Sequence, residues 1–262
     1  MSNIPGFTRS IDRPDHGCFG IFGGEGSGKT RLCATATEWA DARSKIPGWI
    51  VCDRKTRKTV RDYHEEVGLQ IPYMNDTDFV TQKQALQLAT NTNFDEVKKV
   101  YEDVTKRLFD SVVALAGRQE VEPIVMDSGT QIWDWIGYSH FGRKQEVGKS
   151  RVWGPPKQDW TDLIDSLNHK LVLVTMKAKD EYRNDNRTGR TVWDGPPHLG
   201  YCTTSIVRCV FDAHKEADYY WDKFSLDVVE SQDNVGQAGV NGVLEGQAIT
   251  LENLMAVLRP GE

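Results

Sequence analysis

The sequence has no apolar run near the roughly 20 residues that a membrane-spanning helix needs. Its N-terminal stretch, MSNIPGFTRSIDRPDHG, lacks a basic-then-apolar leader. A cytoplasmic protein without a membrane partner is therefore expected. Paired cysteines are missing as well. Cys18, Cys33, Cys52, Cys202 and Cys209 are odd in number and form no CxxC. The six histidines are equally scattered, so no zinc site is expected, and the cysteines read as small buried hydrophobes in a reducing compartment. Net positive charge is also lacking. The 32 Lys and Arg face 38 Asp and Glu, a formal net charge of -6, which excludes a uniformly basic nucleic-acid coat but leaves room for local basic paths. No repeat of about 20 to 50 residues is visible. No Ser/Pro-rich linker divides the 262 residues, so one domain is expected, its core over about 16–230.

What is present is alternation. Cys18–Phe22, Trp49–Cys52, Pro123–Met126 and Leu171–Thr175 are short continuous apolar runs that read as buried strands. Lys29–Ala42, Thr81–Ala89, Phe94–Ala116, Gln131–Tyr138, Asp159–Leu167 and Thr250–Leu258 read as helices, the last with Thr250 as N-cap. In 94–116, Val97, Val100, Tyr101, Val104, Leu108 and Val112 form an apolar stripe. The charged piece Arg54–Glu66 is expected to be helical in its second half. Gly142–Pro156 reads as a loop and Lys179–His198 as a long loop or hairpin. Ile206–Phe211 and Tyr219–Val229 read as further strands. This pattern predicts an α/β fold: a mostly parallel sheet flanked by helices, with an antiparallel extension at one edge.

One motif is specific. Gly23, Gly24, Glu25, Gly26, Ser27, Gly28, Lys29 and Thr30 match G-x-x-x-x-G-K-[ST] between a strand and a helix. Glycines let bare backbone N–H groups wrap a phosphate chain, and the helix that follows aims its positive end at the same anion. Lys29 supplies a point charge toward the β- and γ-phosphates, Thr30 a hydroxyl for Mg²⁺, and Arg31 extends the binding segment. Asp127, at the carboxyl end of the strand Pro123–Met126, is the expected second metal ligand. ATP and Mg²⁺ are thus the expected ligands. For the group that orients an attacking water, Asp53, Glu25, Glu65 and Glu66 are all candidates.

With GGEGSGKT at 23–30, IVMDSGTQIW at 124–133 and LVLVTMKAKDEYR at 171–183, the chain resembles a RecA-like P-loop ATPase. More narrowly, it is similar to short phage-encoded RecA-like proteins of recombination and single-strand annealing. The resemblance implies a Mg²⁺-dependent ATPase acting on single-stranded DNA and assembling into a ring or filament. A single-strand binding protein is a possible partner, and the host cytoplasm the setting if the chain is phage-encoded. It assigns Thr175 and Lys177 to sensing the γ-phosphate, beside Lys29, Asp53 and Asp127 as catalytic residues. It also places DNA on two segments, about Ser139–Pro156 and Lys179–His198. Composition agrees. Residues 143–157 carry Arg143, Lys144, Lys149, Arg151 and Lys157 against Glu146. Residues 177–190 carry Lys177, Lys179, Arg183, Arg187 and Arg190 against Asp180, Glu181 and Asp185. Trp153, Tyr182 and Trp193 are interleaved as stacking platforms.

The chain departs from the RecA pattern at one place. The resemblance implies a glutamate two residues beyond the Asp of the second strand, and Lys55 stands there. That points to slow hydrolysis or to ATP binding used as a switch. The cluster Arg54, Lys55, Arg57, Lys58 and Arg61 reads as a solvated helix face or a phosphate-facing one. Lys215 and Lys223 are candidates for a cation acting on a neighbour's nucleotide. A nucleotide kinase with 179–190 as its lid, and a non-hydrolysing ATP-binding adaptor in replication or packaging, remain the alternatives.

Overall fold

The computed structural model of the chain describes residues 17–52, 54–70, 72–75, 78–143, 150–183, 186–216 and 219–260. Strand β1 (Gly17–Gly23) leads through the glycine loop to α1 (Lys29–Ala34) and α2 (Ala36–Asp41). Then come β2 (Ile46–Val51), α3 (Arg54–Val67), β3 (Tyr73–Met74), α4 (Gln82–Thr90), α5 (Phe94–Ala116), β4 (Val121–Asp127) and α6 (Gly129–Phe141). The second half holds α7 (Gly154–Asp165), β5 (Leu171–Arg183), β6 (Asn186–Asp194), α8 (Leu199–Cys202), β7 (Ser205–Phe211), β8 (Phe224–Ser231), β9 (Leu244–Glu245) and α9 (Leu251–Leu258).

The strands form one mostly parallel sheet in the order β3-β2-β4-β5-β1-β7-β8-β9, with β6 paired to the outer half of β5. Strands β3 to β7 along that order run parallel. The pairs β7–β8, β8–β9 and β5–β6 are antiparallel. Helices cover both faces, which is why the central strands are apolar throughout. In β1, Cys18 and Phe22 face a core shared with α5, α6 and α7, while Phe19 and Ile21 face one shared with α1, α2, α3 and α9. Among the described residues no helix is long and apolar enough to cross a membrane.

Several expected boundaries shift. The helix expected over Lys29–Ala42 is interrupted at Thr35. Its hydroxyl donates back to the Leu32 carbonyl (2.7 Å) and accepts the Leu251 N–H (2.8 Å), tying the break to α9. The charged segment is helical from Arg54 onward because its inward stripe is satisfied: Thr56, Val60, Tyr63 and His64 are all buried. The loop expected over Gly142–Pro156 is shorter, since Gly154 already begins α7 with proline in its first turn. Of the loop or hairpin expected over Lys179–His198, the hairpin forms: β5 and β6 pair antiparallel, with a register shift between Asp180 and Tyr182. The strand expected at Tyr219–Val229 starts only at Phe224, after a 3₁₀ turn. Thr250 caps α9 as expected, its side chain accepting the Asn253 N–H, and Thr81 and Gln84 form a capping box at the start of α4.

His64 pins α3 to α2. A carbonyl only accepts, so Nδ1–H donates to the Gln70 carbonyl (2.8 Å) and Nε2 accepts from the Thr37 hydroxyl (2.6 Å). This neutral form is favoured further by burial, which depresses its pKa below the usual 6.5. A depressed basic group contributes stability that is present above 6.5 and lost as pH falls through the lowered value. Between about pH 7.5 and about 5.5 the wild type is therefore expected to lose more thermal stability than His64→Gln. Equal losses in a melting series would show that His64 does not act this way.

Candidate functional site

At the carboxyl ends of β1 and β4, beside the middle of β5, lies a cavity of about 620 Å³. Residues 23 to 31 line it together with Lys55, Thr56, Asp127, Thr175 and Lys177. All of the expected nucleotide-binding loop and four of the five expected catalytic residues therefore meet at one place. The fifth, Asp53, lies outside the described residues.

The loop is shaped by its glycines. Gly28 sits at φ 89° with an added Cβ only 3.2 Å from the Phe224 ring, so no other residue fits unstrained. At Gly23 a Cβ would come within 2.4 Å of the Cys209 carbonyl oxygen. Lys29 reaches back over the loop and donates to the Gly23 and Gly24 carbonyls at 2.9 and 2.7 Å. Burial pulls its ammonium below the usual pKa, while neighbouring groups that include Asp127 oppose that shift.

Asp127 is a hub of the cavity lining. It is 5% exposed and accepts three hydroxyls. Thr30 (2.8 Å) and Thr56 (3.1 Å) donate to Oδ2, and Thr175 donates to Oδ1. These threonines come from α1, α3 and β5, so one carboxylate knits three elements around the cavity. Thr56 was not among the expected site residues. Its signal was the inward stripe it shares with Val60, Tyr63 and Val67. Thr130 was missed too: its hydroxyl donates to the Asp194 carbonyl and accepts the Lys177 N–H (2.9 Å). That holds the middle of β5 against α6. Asn75 clamps the end of β2, accepting the Val51 N–H at 2.8 Å and donating to the Val51 carbonyl at 3.0 Å.

Of the base candidates, Glu25 lines the cavity and pairs with Lys55 at 3.5 Å. Glu66 instead lines an adjoining cavity of about 420 Å³ that shares Ser27, Gly28, Arg31 and Phe224 with the first, and Glu65 lines neither. In that second cavity the Tyr63 hydroxyl donates to Glu38 (3.0 Å), and the Arg31 guanidinium lies 5.6 Å from the Tyr63 ring centre.

The expected DNA segments divide. Lys144 and Lys149 lie outside the described residues, and Arg151 falls in the 3₁₀ turn before α7. Arg143 is exposed with its guanidinium 5.2 Å from the Phe94 ring centre. The β5–β6 hairpin is exposed, and Arg183 ends its first strand. Two of its cations are already paired, Lys179 with Asp194 (3.0 Å) and Arg187 with Asp180 (2.7 Å), while Arg190 is exposed. The expected aromatic platforms need correction. Trp153 is 5% exposed and stacks on Trp133 at 5.2 Å. Trp193 packs edge-on against Phe22 and donates its indole N–H to the Pro196 carbonyl (3.0 Å). Trp153 belongs to the core, and Trp193 is half-buried against it. Tyr182 alone, 62% exposed, is open to stack on a base. Lys215 pairs with Glu245 (2.8 Å), and Lys223 donates to the Ala213 carbonyl (3.3 Å).

The donor set suits a hard cation. Thr30 and Asp127 offer oxygen donors only, the kind such a cation takes. The chain matches no protein-family model and no curated protein.

Proposed function

We propose that the chain is a Mg²⁺-dependent ATP-binding protein of the RecA-like type that hydrolyses ATP slowly and acts on single-stranded DNA. The observation that carries this reading is the 2.8 Å bond from Thr30 to Asp127. Those residues are 97 positions apart in sequence and meet beside a G-x-x-x-x-G-K-T loop, the arrangement that a metal shared with a phosphate chain would use. The loop amides and Lys29 would hold the phosphate chain, with the nucleoside in the adjoining cavity beside Tyr63. Thr30 and Asp127 would hold Mg²⁺, which when bound supplies charge neutralisation at the β- and γ-phosphates. The order β4-β5-β1 supports the RecA resemblance, because it sets Thr175 and Lys177 between the loop strand and the Asp127 strand.

Lys55, where the resemblance implies a glutamate, favours a second reading: a non-hydrolysing adaptor that binds ATP as a switch. A phosphate-release assay with and without single-stranded DNA separates the two. DNA-stimulated release supports the ATPase; retained ATP affinity without release supports the adaptor. The hairpin is the proposed DNA contact. Replacing Arg183, Arg187 and Arg190 together by Gln should weaken single-strand binding and flatten its salt slope by about 2, at about 0.7 per lost phosphate contact. ATP affinity should not change. Undiminished DNA binding would exclude the hairpin.

A further inference from the structure

The expected catalytic glutamate is replaced by a cation, and the structure places that cation with care. Lys55 lies in the first turn of α3. The next residue, Thr56, donates to Asp127 and so fixes that turn to the metal-side wall. The Lys55 side chain itself is 84% exposed and rests on Glu25 of the glycine loop, 92% exposed, at 3.5 Å. The larger cavity shares Arg31 and Phe224 with the second, and a nucleoside would leave it there. Lys55, Asp127, Thr175 and Lys177 line only the larger cavity, where the last phosphate of a chain would reach.

We propose that Lys55 is the ligand of the terminal phosphate, and that Glu25 is its counter-ion in the nucleotide-free protein. The inference rests on the ATP reading and deepens it. An exposed pair of this kind contributes little, so a triphosphate can displace Glu25 without a large conformational cost. A lysine suits the exchange because it is a compact point charge on a flexible stem. Lys55 thereby makes the site discriminate a triphosphate from a diphosphate, which lacks the group it binds.

Calorimetry with Mg²⁺ tests this on the full chain, using ADP and a non-hydrolysable β,γ-imido analogue of ATP. Lys55→Ala should lose about ten-fold in affinity for the analogue, the scale of one charge-assisted hydrogen bond. Its affinity for ADP should move less than about two-fold. Lys55→Arg, which keeps the charge, should recover most of the loss. Glu25→Gln should tighten the analogue about two- to three-fold by removing the competitor. Equal effects of Lys55→Ala on both ligands, or none on either, overturn the proposal while leaving the ATP reading intact. Unchanged affinity in Glu25→Gln overturns the counter-ion role. A wild type that binds neither ligand overturns the ATP reading and this inference with it.

Discussion

Lys29→Ala is expected to cost more than about 100-fold in ATP affinity, equivalent to two charge-assisted contacts on the phosphate chain. In the nucleotide-free protein the ammonium spends its hydrogen bonds on the Gly23 and Gly24 carbonyls. Those oxygens lie at the open cavity and can turn to water once the side chain is gone, so stability should barely move. The prediction thus separates function from folding: calorimetry should register no binding, and thermal melting should match the wild type. Retained ATP affinity in a folded variant would remove the assignment of residues 23–30 and every role built on it.

Asp127 is expected to behave differently, because it serves both structure and chemistry. Asp127→Ala strands the Thr30, Thr56 and Thr175 hydroxyls beside a small void, at a cost of about 1–3 kcal/mol. For a chain of this size that is a melting point lower by about 5 °C. Asp127→Asn keeps the volume and one acceptor oxygen, so it should melt nearer the wild type. Both variants lose the charge that would hold the metal. Mg²⁺-dependent phosphate release should fall by about 100-fold or more in each, the scale seen when a preorganised electrostatic contact is removed. Normal Mg²⁺-dependent release by folded Asp127→Asn would rule the residue out as a metal ligand.

The sheet, its two covered faces and the cavity loop could be read from the sequence because each rests on local signals. Continuous apolar runs mark strands buried on both sides, and the spacing from Val97 to Val112 marks a helix. G-x-x-x-x-G-K-T specifies a backbone shape. What escaped depends on tertiary neighbours. Thr56 looked like one more polar residue in a basic helix, and only the stripe through Val60 and Tyr63 hinted that it points inward. Trp153 and Trp193 looked like stacking platforms because they sit among cations. Their indoles are packed against Trp133 and Phe22, partners about 20 and 170 positions away that no local pattern names. The hairpin was half legible: its glycine and its charges signalled a turn, but the continuation of β5 through Arg183 depends on pairing with β6.

That long strand has a consequence for handling the protein. Beyond the sheet, β5 and β6 have only each other, which leaves outward N–H and C=O groups that a second chain could use for strand addition. The alternating cations and acids of 179–190 act as gatekeepers against such stacking. Stripping three arginines from this ribbon therefore removes protection as well as charge. Light scattering should accompany any measurement on that variant, so that self-association is not mistaken for an altered appetite for DNA.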